Sequence, residues 1–242
     1  PAAPELKRAV NRLFREQGCK QNVFMEYYGS SETSIVSVLL PEDYEAEDKR
    51  YESVGRIRCG ENGIYDEQNG RWCASYQVGK VLSRTVMTLG LRYNGSPEKL
   101  DDAFITVDGA PWFDDGLLGY QDEEGFLYLT GRLKEMIISG GVNVFPNEME
   151  AVIKRHPQVA DVAVIRYPDD VLGEVPAAIV QLKAGQHARP EELIDFCQKS
   201  GLKGYSCPRH IEFTDTLPRH ADGKLLKRVL EDKYWQGIEH RG

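Results

Sequence analysis

The sequence predicts an α/β chain in two parts, and three observations carry that reading. Over residues 4–34 a helical pattern leads into a strand candidate and then a polar, glycine-containing loop. That is the arrangement of an α/β unit with a ligand at the strand's carboxyl end. From Ile35 to Asp108 short apolar runs alternate with turn signals, as in a small barrel or a distorted antiparallel sheet. Beyond Arg132 helical periodicity returns between further strand candidates, so residues 135–242 read as an independent α+β domain. A length of 242 residues accommodates one large domain or two smaller ones, each with a core.

Each element has a local cause. Pro4 suits a helix's first turn, Leu6, Val10, Leu13 and Phe14 recur at helical spacing, and Gly18 can stop the helix. Asn22-Val23-Phe24-Met25-Glu26-Tyr27-Tyr28 follows as a strand candidate, and residues 29–34 as its loop. The turn signals Glu61-Asn62-Gly63, Gln68-Asn69-Gly70 and Tyr93-Asn94-Gly95 then separate short strands. Residues 125–130 read as one more strand, ending at Gly131-Arg132. Phe145-Pro146 opens a helix with acids in its first turn, closed by Lys154, Arg155 and His156 as the helix dipole prefers. Residues 161–165, 177–182 and 210–213 are strand candidates, and helical patterns fall at 190–199 and 225–235. The boundary between the two parts falls near Arg132 to Lys134.

Composition excludes several classes of function. Thirty Lys plus Arg against 38 Asp plus Glu leave a net charge of −8, which argues against nonspecific binding to nucleic acid or anionic membranes. No apolar stretch approaches the ~20 residues of a transmembrane segment. The five cysteines form no Cys-x-x-Cys pair, so a disulfide framework or zinc site is not expected and a cytoplasmic, reducing location is. The five histidines suggest no catalytic set. The chain opens with Pro1-Ala2-Ala3-Pro4, without Met or a signal-peptide pattern, and is expected to be a fragment.

Three motifs admit both a structural and a chemical reading. Tyr27-Tyr28-Gly29-Ser30-Ser31-Glu32-Thr33 is a polar loop after a strand. It also offers an aromatic face for a purine, hydroxyl and amide donors for phosphate, and a carboxylate for Mg²⁺. Met136-Ile137-Ile138-Ser139-Gly140-Gly141 is a strand with a tight turn, or a place where a ligand approaches the backbone closely. Ala221-Asp222-Gly223-Lys224 is a solvated turn with a lysine, and lacks the upstream glycine and following Ser/Thr of a P-loop.

The order and spacing of these motifs resemble the carboxyl-terminal half of an acyl-CoA synthetase of the AMP-forming, adenylate-forming ligase superfamily. Tyr28-Gly29-Ser30-Ser31-Glu32 resembles the family's adenine and magnesium motif. Trp112-Phe113-Asp114-Asp115-Gly116-Leu117-Leu118-Gly119-Tyr120 resembles its ribose-binding segment, followed by an acidic turn and Gly131-Arg132. Residues 134–150 resemble the start of its mobile lid, and residues 217–228, around Gly223-Lys224, its catalytic-lysine signature. The resemblance covers essentially the whole chain. It implies residues 1–132 as the end of the large adenylation domain, 133–134 as a hinge and 135–242 as an α+β lid.

It also implies a two-step reaction with ATP, Mg²⁺ and coenzyme A: a small-molecule carboxylic acid becomes acyl-AMP, and a thiol then takes the acyl group. On this reading Glu32 holds Mg²⁺, Ser31 contacts phosphate, and Tyr28, with Gly29 beside it, covers adenine. Arg132 meets the ribose. Lys224 bridges substrate carboxylate and nucleotide during adenylation. Lys134 is the hinge, and Gly140 and Gly141 line the pantetheine tunnel after the lid turns.

Two departures stand out. The family's ribose-binding Asp falls on Leu117, which accepts no hydrogen bond, so Asp114 or Asp115 is left to compensate, and Asp115 is counted among the cofactor-binding residues. Ser206 stands where relatives commonly carry Lys, near the nucleotide end of CoA, with Arg209 a candidate there. The family's phosphate loop and most of its acyl pocket precede residue 1, so the chain is expected to need an amino-terminal half and to be inactive alone. A carboxylate–CoA ligase is the expected function. An acyl–carrier-protein ligase, or a non-catalytic nucleotide-binding relative, is the alternative.

Overall fold

The computed structural model describes residues 2–91, 103–221 and 223–236. The expected turn at Tyr93-Asn94-Gly95 lies outside them. The chain divides into two compact units, Pro1–Arg132 and Leu133–Gly242.

The first unit opens with helix α1 (Pro4–Glu16), whose first turn carries Pro4 as expected. Its buried side chains are Lys7 and Asn11, not the apolar set: Lys7 is fully buried whereas Leu13 is 54% exposed. Lys7 Nζ donates to the Ser53 carbonyl at 2.9 Å and pairs with Glu26. Asn11 Oδ1 accepts from Val23 N and Phe24 N, both at 2.9 Å. Those two amides are therefore unavailable to a sheet, and strand β1 spans Glu26–Ser30 rather than starting at Asn22. Nor does β1 join a parallel α/β unit. It turns directly into β2 (Ser34–Leu39) as an antiparallel hairpin. After the single turn α2 (Asp43–Ala46), β3 (Arg56–Ile57) completes a three-stranded antiparallel sheet.

The β-rich part follows as β4 (Glu61–Asp66), β5 (Arg71–Trp72), β6 (Gly79–Arg84), β7 (Phe104–Val107), β8 (Ala110–Gln121) and β9 (Leu127–Arg132). They form one antiparallel sheet in the order β5-β4-β6-β8-β7, with β9 also paired to β8. Between β6 and β8, Lys80 faces Leu118 but Leu82 faces Asp114, so Val81 alone opposes Asp115, Gly116 and Leu117. Gly116 supplies the left-handed backbone, φ +76°, that this bulge contains.

The second unit comprises β10 (Ile137–Ser139), β11 (Val142–Val144), α3 (Pro146–Lys154), β12 (Val159–Asp169), β13 (Gly173–Leu182), α4 (Pro190–Lys199), β14 (His210–Phe213) and α5 (Lys227–Asp232). The sheet order is β11-β10-β13-β12, antiparallel, with β14 parallel to β13. Strand alternation sorts the core. Val162, Val164, Ala178 and Val180 pack with Met149, Ile153, Leu193 and Cys197 of α3 and α4. Ala163, Ile165, Ala177 and Ile179 pack on the opposite face with Leu217, Leu225, Leu230 and Tyr234. Both faces of this sheet are covered. Among the described residues no helix is long and apolar enough to cross a membrane.

Candidate functional site

The expected site residues divide between the two units. In the first, β1 and β2 present a three-residue tip, Ser31-Glu32-Thr33. Thr33 organises it from inside. Its Oγ1 accepts from Ser30 N at 2.9 Å, its own N donates to Ser30 Oγ at 3.2 Å, and its carbonyl accepts from Thr85 Oγ1 at 3.0 Å. Ser31 is exposed and Glu32 half-buried on this pinned tip. Gly29 lies where the hairpin register slips, and a Cβ there would sit 1.7 Å from the Ser34 carbonyl oxygen. Only glycine fits.

Behind the tip, Tyr28 points inward at 8% exposure, whereas Tyr27 points outward at 65%. The Tyr28 hydroxyl donates to Asp115 Oδ2 at 2.7 Å. Asp115 reaches it from the β8 bulge, across 87 residues of sequence. Burial pushes the Asp115 carboxyl above the usual carboxylate range, while the Tyr28 hydrogen bond and the charge of Arg132 pull it back. Its Oδ1 is buried and has no hydrogen-bond partner among the described residues. Asp114, by contrast, is engaged: Lys80 Nζ lies 3.1 Å from its Oδ2, and Gly116 N donates to its Oδ1 at 2.8 Å. Leu117 faces Arg132 across the β8–β9 ladder and packs against the core that includes Tyr28 and Val81. Arg132 ends β9 exposed.

In the second unit Lys134 sits exposed in the single turn Leu133–Glu135. It lines an open cavity of about 740 Å³ with Arg166, Lys227 and Glu231. Gly140 and Gly141 form the β10–β11 turn with φ of +57° and +82°, the two left-handed residues of a tight hairpin. A Cβ on Gly140 would meet Leu172 at 3.0 Å and the Tyr205 hydroxyl at 3.4 Å, whereas one on Gly141 would meet nothing within 4 Å. Lys224 is exposed on a second small hairpin. His220 N donates to the Lys224 carbonyl at 2.8 Å, and Leu226 N to the Pro218 carbonyl at 2.9 Å. Arg219 anchors the near side by pairing with Asp161, which also meets Lys154 at 2.9 Å.

Lys227 lies within the lysine signature, but its two carboxylate partners, Glu135 and Glu150, are far off in sequence and local spacing does not point to them. Nor does local spacing point to the pairing of Trp72 and Trp112, edge to face at 4.9 Å, beside a shallow cavity of about 570 Å³. Among the described residues no group of three or more His, Cys, Asp or Glu is arranged to hold a metal ion. A single carboxylate such as that of Glu32 suits Mg²⁺ that is shared with phosphate and water.

Comparison with known proteins bears on the whole chain. Residues 148–224 match the family described as AMP-binding enzyme C-terminal domain. A mitochondrial medium-chain acyl-CoA ligase from Bos taurus is 33% identical over 240 residues, 98% of this chain and 37% of its own length. A fatty acid–[acyl-carrier-protein] ligase from Streptomyces coeruleorubidus is 33% identical over 213 residues, 88% of this chain and 40% of its own. Among solved structures, the o-succinylbenzoate CoA synthetase of Bacillus subtilis, in complex with its acyl-adenylate intermediate, superposes with a TM-score of 0.80 at 32% identity. That likeness covers 96% of this chain and 44% of the synthetase, which has also been solved with ATP and a magnesium ion. The chain thus spans about two-fifths of the length of the relatives it matches.

Proposed function

Because this chain belongs to the AMP-forming acyl-CoA synthetase (adenylate-forming ligase) superfamily, as a carboxyl-terminal part, we propose that it serves a longer ATP-dependent carboxylate–CoA ligase. The observation that carries the proposal is the match of nearly the full chain to a curated acyl-CoA ligase. A carboxylate is a poor electrophile until it becomes a mixed anhydride. Its oxygen attacks the α-phosphorus of ATP, the bond to the bridging oxygen breaks, and pyrophosphate leaves. A thiol sulfur then attacks the acyl carbon and AMP departs. The first step gathers anions, so positioned positive charge dominates its catalysis.

Lys224 bridges the substrate carboxylate and the nucleotide in that step. Ser31 contacts phosphate from the hairpin tip, and Tyr28 and Gly29 border adenine. Glu32 holds Mg²⁺, which when bound neutralises phosphate charge. Arg132 meets the ribose, and Asp115, whose buried Oδ1 has no hydrogen-bond partner among the described residues, supplies the acceptor that Leu117 cannot. Lys134 is the hinge, and Gly140 and Gly141 admit the thiol arm of CoA. The preceding part of the same protein supplies the phosphate loop and the acyl pocket.

The carrier-protein relative and Ser206 favour one alternative acceptor, the phosphopantetheine of a carrier protein. The longer ligase, given ATP, Mg²⁺ and a panel of carboxylic acids, is assayed for thioester with CoA and with holo-carrier protein. Thioester with CoA supports the proposal. Thioester with the carrier alone moves the acceptor, and no acid-dependent pyrophosphate release under any condition refutes the ligase reading.

A further inference from the structure

One charged cluster in the second unit has no part in the chemistry above. Lys227 opens α5 three residues beyond Lys224, and its side chain is only 13% exposed. Its ammonium lies 2.9 Å from Glu135 Oε2 and 2.8 Å from Glu150 Oε1. Burial works against its charge, but the two carboxylates outweigh burial and hold its pKa above the ordinary lysine value. Glu150 is fixed in turn, because its Oε1 accepts from Val164 N on β12 at 2.8 Å. Glu135 belongs to the turn that carries Lys134. One ammonium therefore joins α5, the α3–β12 layer and the turn that opens the unit.

The hairpin that bears Lys224 is thereby held from both sides. Upstream, Arg219 pairs with Asp161 and donates to the Gly223 carbonyl at 2.5 Å. Downstream, Lys227 is the first charged anchor. A lysine side chain is long and flexible, so the place its ammonium reaches depends on where its backbone is fixed. Small misplacements of a charge in a reacting assembly are expensive in rate.

We infer that Lys227 is a positioning residue for Lys224: the Glu135–Lys227–Glu150 bridge sets where the 218–226 hairpin leaves the core and ties it to the turn carrying Lys134. The inference rests on the adenylation role proposed for Lys224. It predicts damage confined to the half-reaction that uses Lys224.

The test uses the longer ligase with Lys227→Met, Lys227→Arg and Glu135→Gln, and Lys224→Ala as reference. Carboxylate-dependent ATP–pyrophosphate exchange and thioester formation from supplied acyl-AMP are measured for each. Lys227→Met is expected to lower the exchange kcat by about tenfold or more, with the KM for ATP and the thioester rate within about threefold of wild type. Lys227→Arg, which can meet both carboxylates, restores most of the exchange rate. Should Lys227→Met fail to fold by circular dichroism, Glu135→Gln decides, with an expected loss of several-fold in exchange alone. Unchanged exchange in both variants, equal loss of both half-reactions, or failure of arginine to rescue overturns the inference. If Lys224→Ala abolishes exchange while Lys227→Met leaves it intact, only the positioning role falls. If Lys224→Ala itself leaves exchange intact, the adenylation reading falls and this inference with it.

Discussion

The helices of the two units bury different kinds of side chain. In the second, α3 and α4 turn Met149, Ile153, Leu193 and Cys197 into the core, and the other sheet face is closed by Leu217 and residues of α5. In the first, α1 turns Lys7 and Asn11 inward and leaves Leu6, Leu13 and Phe14 exposed. Tyr27, Ile35, Val86, Met87 and Leu89 of the same unit are exposed as well. The second unit exposes large apolar side chains too, Ile138, Val142, Val171, Tyr205 and Val229 among them, but none of the buried residues of its helices α3 and α4 is a lysine or an asparagine. Each unit has its own buried apolar core, and they differ in which side chains their helices commit to it.

Substitutions that ask each unit to reveal its core put this contrast at risk. Ile153→Ala is expected to cost the second unit about 2–5 kcal/mol, the usual range for emptying a fully buried site, read from its unfolding midpoint in denaturant. A cost below about 1 kcal/mol would mean that this core is not closed. Asn11→Ala in the first unit strips the acceptor from two amides and is expected to cost about 1–3 kcal/mol, with faster hydrogen exchange at Val23 and Phe24. Leu13→Ser, on the apolar face of the same helix, is expected to change the stability of this chain by no more than about 0.5 kcal/mol and to raise its solubility. A large loss from Leu13→Ser would place its face inside and erase the difference between the units.

The smallest effect concerns pH. Burial raises the Asp115 carboxyl above its ordinary value, so the folded chain binds that proton more tightly than the unfolded one does. The stabilisation is complete below the unfolded carboxylate pKa and is lost as pH rises through the raised folded value. Asp115→Asn keeps an acceptor for the Tyr28 hydroxyl and removes the charge. The variant is expected to lose stability less steeply than wild type across that window, by thermal melts at stepped pH. Parallel slopes would show that Asp115 ionises as freely in the fold as outside it.

The same contrast explains what was legible in the sequence. In the second unit α4 and β14 occupy the expected residues 190–199 and 210–213, because proline, acidic first-turn residues and strict alternation act locally. β12 and β13 run beyond their apolar centres: Tyr167, Pro168 and Asp169 continue the ladder opposite Val175, Glu174 and Gly173. Hydrophobic pattern reports the buried stretch of a strand, not its paired length. The last helix is shorter than the expected 225–235, since Leu225 is bridged to Arg219 before α5 begins. In the first unit the periodicity of α1 predicted a helix but could not say which face this chain covers, and Asn11 displaced the start of β1.

The site divides likewise. The hairpin tip and the paired glycines are short-range motifs and could be read directly. The meeting of Tyr28 with Asp115 needs a bulge around Gly116 in a strand far along the chain, and neither its register nor its aim is written in local spacing. Lys227 was hidden for the same reason, its partners being supplied by tertiary structure.

The central claim is that this chain brings Lys224 to the adenylation step of a longer ligase. Its most direct test is the pair of half-reactions in that ligase with Lys224→Ala. The account predicts that carboxylate-dependent ATP–pyrophosphate exchange is lost while thioester formation from supplied acyl-AMP largely survives. Equal loss of both half-reactions, or exchange at the wild-type rate, would contradict it.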